Sequence, residues 1–413
     1  MKVRIHRGTN EVGGSCIEVE ARGERIVLDL GRPLWAGRDE DVPLPAVPGL
    51  AAHDPTLRAV VISHPHPDHY GLATEIAAPI VMGEAGWRIL AEASFFTGAS
   101  APRQPIAFLR DREPMTIGPF TVTSYLNDHS AFDAYSLLVE ADSRRLFYTG
   151  DFRAHGRKRG VFERLLREPP RVDVLLMEGT NIREDADPAA RGPSEVDVEA
   201  SVVELARTTR GMVLAAFSAQ NIDRLVTMFK AARRSGRELV LDLYAATMAA
   251  ATGLTSTIPQ ASWDGVRVFL PRGQKARVIQ AEAFERTDAV RASRIYAEEL
   301  STRAGELLML FRGSMARDLD VAGCLDGAAL AWSMWPGYLR DESGSALQTW
   351  ASERGIPLSH HHASGHAFVP DLRRFVDALA PERVVPIHSF VGDRYGELFP
   401  RVDRRHDGET WTV

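Results

Sequence analysis

The stretch Ser63-His64-Pro65-His66-Pro67-Asp68-His69-Tyr70-Gly71, directly after the apolar run Arg58-Ala59-Val60-Val61-Ile62, constrains the fold of this chain more than any other feature. A short apolar run closed by a Pro-rich turn reads as a buried strand. Three imidazoles and a carboxylate then follow within six residues, on a rigid base at the strand end. Imidazole and carboxylate suit zinc, at nitrogen and oxygen distances of about 2.0 to 2.2 Å, and such a set can hold two ions rather than one. The chain has 13 His but only two Cys, Cys16 and Cys324, so a disulfide scaffold and a Cys-rich zinc ribbon are both excluded. Any metal therefore falls to His and carboxylates.

At 413 residues the chain is long enough for two or three units, one of which can interrupt another. Its first part reads as β-rich, with strand-like segments at Ser15 to Glu20, Arg25 to Leu30, Ala59 to Ser63, Phe120 to Tyr125, Tyr135 to Glu140 and Arg145 to Thr149. Pro43 to Pro48 reads as an exposed loop. The rhythm then changes. Val172 to Met177 is apolar, Ser194 to Arg207 helical, Val213 to Ala216 apolar, Asn221 to Ser235 an amphipathic helix, and Val240 to Leu243 apolar again. Strands alternating with helices imply a parallel sheet with helical crossovers. The final segment returns to short strands and loops, with Val384 to Ile387 as a buried strand.

More candidate ligands stand at later strand ends: Asn127-Asp128-His129-Ser130, Thr149-Gly150-Asp151, and Ile387-His388-Ser389. In this order they resemble the metallo-β-lactamase superfamily, and within it the β-CASP branch of nucleic-acid-processing nucleases, ribonuclease J-like. The opening Gly8-Thr9-Asn10-Glu11-Val12-Gly13-Gly14-Ser15-Cys16 and Val27-Leu28-Asp29-Leu30-Gly31 are similar to the first hairpin and structural aspartate of that family. Leu176-Met177-Glu178-Gly179-Thr180-Asn181 resembles the acidic motif of the branch, and His362-Ala363-Ser364-Gly365-His366-Ala367 its HxSGHA motif. The resemblance implies an α/β fold: a metallo-β-lactamase αββα sandwich, residues 1–194 and a return segment 346–413, interrupted by an inserted α/β β-CASP domain with a parallel sheet at 195–345. More than half of the chain separates Asp151 from His388, as such an insertion requires. No counterpart to the extra C-terminal domain of the ribonuclease J group is expected.

Carried over residue by residue, the resemblance places His64, His66 and His129 on one zinc, Asp68, His69 and His388 on the other, and Asp151 as the bridge. Asp29 becomes an acceptor orienting the ligand loop. The implied activity is hydrolysis of a phosphodiester by a bridging hydroxide, making the chain a zinc-dependent exo- or endoribonuclease, with manganese as the alternative metal. Asp68 accepts the nucleophile's proton, and His366, oriented by Glu178, contacts the scissile phosphate and protonates the leaving oxygen. Ser364 and His362, with Ser218 and Asn221 of Ala215-Ala216-Phe217-Ser218-Ala219-Gln220-Asn221-Ile222-Asp223-Arg224, are the expected substrate contacts. A DNA nuclease of the same branch and a small-molecule metallo-hydrolase are the alternatives.

A net charge of −6 gives no global attraction for nucleic acid, so an RNA or single-stranded partner must be held locally. Arg224, Lys230, Arg233, Arg234 and Arg237, then Arg267, Arg272, Lys275 and Arg277, supply a candidate basic strip. Two segments depart from the resemblance or stand outside it. Phe311-Arg312-Gly313-Ser314-Met315-Ala316-Arg317 replaces a GSQGE-like stretch that shapes the RNA path, and Trp332-Ser333-Met334-Trp335-Pro336-Gly337 offers exposed aromatics for base stacking. The apolar runs are too short to span a membrane, and a cytoplasmic protein, acting as a homodimer, is the expectation.

Overall fold

The computed structural model describes residues 1–37, 40–253 and 257–413. The chain forms two compact units. One comprises Met1–Ala91, Ser100–Gly192 and Gly365–Val413, and the other Glu92–Ala99 and Pro193–Ser364.

The first unit holds two sheets. One has seven strands, in the order 410–412, 2–7, 16–21, 24–28, 57–61, 80–83, 107–109, and the other six, in the order 383–387, 174–178, 144–148, 135–141, 120–126, 114–117. Period-two alternation sorts their side chains into layers. Val61, Leu146 and Leu176 face the core shared by the two sheets, together with Ile5, Ile26, Val122 and Leu137. Their neighbours Phe147 and Leu175 point the other way, against Phe162 and Phe375 of helices Arg159–Arg167 and Val369–Leu379. Val60 likewise turns outward to join Leu72, Ile76 and Leu90 on the far side of the first sheet. The result is an αββα sandwich. Within the Pro-rich loop Val47 is buried in that outer layer, so the loop is anchored rather than merely exposed.

The second unit is built on one six-stranded sheet in the order 266–269, 238–242, 307–310, 213–216, 329–332, 358–360, and each neighbouring pair is parallel. Strands such as Val213–Ala216 are buried throughout, as a sheet covered on both faces requires. This unit runs on to Ser364, past the expected boundary at 345. Strand Leu358–His360 pairs in parallel with Ala329–Trp332 and adds a sixth strand to the sheet. Its sequence, Leu-Ser-His, has no apolar pattern to announce it.

Candidate metal centre

Strand ends deliver the site. Leu57–Val61 runs into His64, after which the single turn Pro67–Tyr70 carries Asp68 and His69. Phe120–Leu126 leads to His129, Arg144–Tyr148 to Asp151, Val174–Glu178 ends on Glu178, and Arg383–Ile387 delivers His388. The Pro67–Tyr70 turn is fixed from below. Leu30 N–H donates to His69 O at 2.8 Å and Arg32 N–H to Pro67 O at 2.9 Å. Between them passes Gly31, where a Cβ would lie 1.7 Å from Asp68 O, so no other residue fits.

Three four-residue groups result: His64, His66, His129 and Asp151; Asp68, His69, Asp151 and His388; and Asp151, Glu178, His366 and His388. Within each group the candidate ligand atoms lie within 4.8 Å of one another, and Asp151 belongs to all three. His69 Nε2 is 3.2 Å and His64 Nε2 3.6 Å from Asp151 Oδ2. His388 Nε2 is 3.3 Å from Asp68 Oδ2, and His129 Nε2 is 3.1 Å from His66 Nδ1. His366 stands beside them, with Nδ1 3.2 Å from Glu178 Oε1 and 3.7 Å from Asp151 Oδ2.

The far atoms of these rings are committed, which fixes which nitrogen faces inward. His69 Nδ1 meets Asp29 Oδ2 at 2.6 Å, His129 Nδ1 meets Gly365 O at 2.6 Å, and His64 Nδ1 meets Ser63 Oγ at 3.0 Å. Asp29 is itself the hub of a buried cluster. Its carboxylate accepts from Ser63 N and Oγ at 2.6 and 2.7 Å and from the Tyr148 hydroxyl at 2.5 Å. Ser63, Tyr148, Thr180 and Asn127 are supporting residues to which the sequence assigns no role of their own. Asn127 Nδ2 donates to Thr149 O and Asp151 O, holding the loop of the shared aspartate, and Thr180 Oγ1 lies 3.0 Å from His388 Nδ1. Only their adjacency to the ligand motifs hinted at them.

Do these residues fit a metal? Among the described residues, His64 Nε2, His69 Nε2 and Asp151 Oδ1 are buried and have no hydrogen-bond partner, and a buried polar atom left this way is unfavourable unless something else binds it. Three of the imidazoles are already in the ligating charge state. Burial, reinforced by neighbouring imidazoles, holds His64 and His129 well below the ordinary histidine range. Burial also brings His66 down to about 4, against the pull of Asp68 and Asp151. These rings are neutral near pH 7 and their lone pairs are available. Burial opposes ionisation of Asp68 and Asp151, but His69 and His388 overcome it and keep both below the usual carboxylate range. Burial lowers the His69 pKa, but Asp151, Asp68 and Asp29 outweigh it and raise it well above the ordinary histidine range, so this ring must release a proton when a cation binds. With that proton released, imidazoles around the Asp151 and Asp68 carboxylates make a fitting donor set for divalent cations.

The expected substrate contacts belong to the other unit. Ser218 Oγ accepts from Gln220 N–H at 3.3 Å. Asn221 caps helix Ile222–Arg234, its side chain accepting from Arg224 N–H at 2.9 Å. His362 and Ser364 lie just before Gly365, where the chain re-enters the first unit. The basic strip needs correction. Arg224 is fully buried and paired with Glu195 at 2.9 Å, while Arg237 is buried and donates to the carbonyls of Ala206, Thr209, Gly211 and Leu307. Arg233, Arg234 and Arg267 are ion-paired with Asp264, Glu199 and Glu238. A count of basic residues could not see these partners, which come from other elements. Trp332 is also buried, at 3% exposure, whereas Trp335 is 55% exposed.

Residues 27–216 match the Beta-lactamase superfamily domain. A ribonuclease J of Mycobacterium tuberculosis is 24% identical over 94% of this chain and 69% of its own length. The Pyrococcus abyssi ribonuclease J is 22% identical over 94% of this chain and 90% of its own. A crystal structure of a protein of unknown function from Enterococcus faecalis V583 superposes with a TM-score of 0.80 at 22% identity, covering 100% of this chain and 99% of that one.

Proposed function

We propose that this chain, a metallo-β-lactamase-fold protein of the ribonuclease J-like, β-CASP kind, is a metal-dependent hydrolase that cleaves RNA phosphodiester bonds. The observation that carries the reading is the pair of donor groups sharing Asp151, with the Glu178–His366 pair beside it. His64, His66, His129 and Asp151 would hold one ion and Asp68, His69, His388 and Asp151 the second, and the nitrogen-rich set favours zinc. Bound divalent ions would supply Lewis acidity toward phosphoryl oxygens and a water made acidic enough to attack near neutral pH.

The chain's own residues do the rest. Asp68 is less enclosed than Asp151, which places it to accept the nucleophile's proton. Glu178 is held in place by Phe152 N–H at 3.3 Å and Thr180 N–H at 3.1 Å, and in turn orients His366. Burial lowers the His366 pKa, but Glu178 and Asp151 outweigh it and raise it to about 9. His366 thus keeps a proton at neutral pH, and with Nδ1 committed to Glu178 its Nε2–H is the group to contact a phosphate oxygen and protonate the leaving one. Ser364 and His362 add substrate contacts. Among the described residues no helix is long and apolar enough to cross a membrane. We take the site of action to be the cytoplasm.

The test uses purified protein with zinc, with manganese or with chelator, on end-labelled single-stranded RNA and DNA bearing a 5′-monophosphate or a 5′-hydroxyl. Metal-dependent cleavage of RNA is expected, and the product lengths separate exonucleolytic from endonucleolytic action. His366→Ala should keep its metal and lose about 10²- to 10⁴-fold in turnover, the usual contribution of a general acid. Folded, metal-loaded protein that cuts neither nucleic acid refutes the proposal, and full activity in His366→Ala refutes the role of that residue.

A further inference from the structure

Among the described residues, His388 alone of the seven expected metal ligands has a positive φ, at +49°. A residue with a Cβ seldom adopts this left-handed region, and it persists only where the surroundings enforce it. The pairing of strand Arg383–Ile387 with Val174–Glu178 ends one residue earlier, at Ile387 against Glu178. The ladder therefore does not dictate the backbone of His388. Its ring depends on that backbone, with Nε2 3.3 Å from Asp68 Oδ2 and Nδ1 3.6 Å from Asp151 Oδ1. A return to negative φ would swing Cβ, and the ring with it, off both carboxylates.

Thr180 braces the ring, but the amide is held from the other sheet of the unit. His388 N–H donates to Gly8 O at 2.7 Å. Gly8 follows strand Lys2–Arg7 and has φ +117°, a conformation that favours glycine. The turn it opens, Gly8-Thr9-Asn10, is gripped by the segment that follows Val402. Thr9 is fully buried, its N–H donating to Asp407 Oδ1 at 3.1 Å and its carbonyl accepting from Arg404 Nη1 at 2.7 Å. Arg404 Nη2 also donates to Asn10 Oδ1, and Arg404 Nε lies 3.1 Å from Asp393 Oδ1. One planar guanidinium thus ties the backbone and a side chain of the turn together.

The gripping segment is anchored at both ends. Asp403 N–H donates at 2.9 Å to Val384 O, in the strand that delivers His388, and Gly408 N–H donates at 2.7 Å to Ile5 O, in the strand that leads to Gly8. Residues 403–408 therefore run from one side of the His388 amide contact to the other. Asp407 is exposed, so it fills no core, and its bond to the Thr9 amide is what it contributes.

We propose that Arg404 and Asp407 are positioning residues for His388, acting through the Gly8–Asn10 turn, and that they set the affinity of the ion held by Asp68, His69 and His388. The inference rests on the two-ion reading of the centre given above. Residues that orient a metal ligand typically contribute about 10- to 100-fold in affinity, and a contact one step further out belongs at the lower end of that range.

The full-length chain, stripped of metal, is titrated with zinc in competition with a chromophoric chelator, and with cobalt(II) for its absorption spectrum. Wild-type protein should take up two ions, and His388→Ala marks which of the two depends on this ligand. Arg404→Met and Asp407→Ala should weaken that same ion about tenfold and shift its cobalt spectrum, leaving the ion on His64, His66 and His129 as it is. Asp407→Asn keeps an oxygen for the Thr9 N–H and should restore wild-type affinity. Thermal melting of the metal-free variants confirms folding, and Asp407→Ala, at an exposed position, serves where Arg404→Met does not fold. A merely structural segment would lower melting and weaken both ions together. That result overturns the proposal, as do wild-type affinities for both ions in the folded variants, or an Asp407→Asn protein no better than Asp407→Ala. Two ions bound by wild type and variants alike remove this inference alone, whereas a wild-type protein that binds only one removes the two-ion reading and this inference with it.

Discussion

Asp29→Asn changes one atom and should disable one ligand of the centre. Asp29 has φ +58°, a left-handed conformation that Asn tolerates well, so the substitution leaves the backbone unstrained. The effect then lies in the hydrogen bonds. Oδ1 accepts from Ser63 N–H, and Oδ2 accepts from Ser63 Oγ, the Tyr148 hydroxyl and His69 Nδ1. An amide has one acceptor and one donor end. With its oxygen toward His69, its NH2 group opposes the fixed Ser63 N–H. With the oxygen reversed, the NH2 group opposes three donors. Hydrogen bonds to a charged acceptor contribute about 1.5 to 3 kcal/mol each, and an unsatisfied buried donor costs about 1 to 3 kcal/mol. With the oxygen toward His69, one bond is lost at about 2 kcal/mol and the other three each weaken by about 1 kcal/mol, giving about 5 kcal/mol in all. Thermal denaturation of metal-free protein should then fall by roughly 10 to 20 °C. The second consequence concerns His69. Without a carboxylate to hold the proton on Nδ1, the tautomer with Nε2 protonated becomes accessible, and that nitrogen no longer binds metal. Loss of such an orienting acceptor typically lowers metal affinity about 10- to 100-fold. Competition against a chromophoric zinc chelator measures it directly. A variant with wild-type zinc affinity and wild-type melting would refute the assignment of Asp29 as the residue that aims His69.

Three further outcomes follow from other parts of the structure. Gly31→Ala places a methyl group inside contact distance of Asp68 O, so the turn carrying Asp68 and His69 must move, and metal content after purification should drop sharply. Arg224→Met leaves Glu195 buried and uncompensated, a loss of about 3 to 5 kcal/mol in denaturant unfolding, while Arg224→Met combined with Glu195→Leu should recover most of it. A double variant no more stable than the single one contradicts the ion-pair account. Burial pushes the Glu18 carboxyl up, but hydrogen bonds from His6 and Arg25 overcome this and hold it below its ordinary value of 4.5. A carboxylate with a depressed folded pKa stabilises above the unfolded value and loses that contribution as pH falls through the folded one. Glu18→Gln should therefore lower the melting temperature at pH 7 and much less at pH 3, and equal decrements at both pH values would exclude the linkage.

Much of the donor set was legible because metal ligation is written in local spacing. His64, His66, Asp68 and His69 lie within six residues, and a strand followed by a tight turn must present them together. His129, Asp151 and His388 each follow an apolar run, which locates a strand end, but their place among the candidate ligands came from the resemblance in motif order. The interrupting unit showed itself in the change from strand runs to alternating strands and helices. Strand Leu358–His360 did not, because its place in the sheet comes from pairing with Ala329–Trp332 rather than from its own pattern.

What the sequence determined by itself was the chemistry available: a His- and carboxylate-rich cluster of candidate ligands in HxHxDH spacing at a strand end, and only two Cys in the whole chain. The tertiary structure decided everything that depends on a partner distant in the chain. Only folding buries Arg224 against Glu195 and takes it out of any basic strip, turns Trp332 inward while leaving Trp335 exposed, and sets four donors around the carboxylate of Asp29. A residue's charge state and accessibility are set by what surrounds it in space, and the neighbours in space of these residues are not their neighbours in sequence.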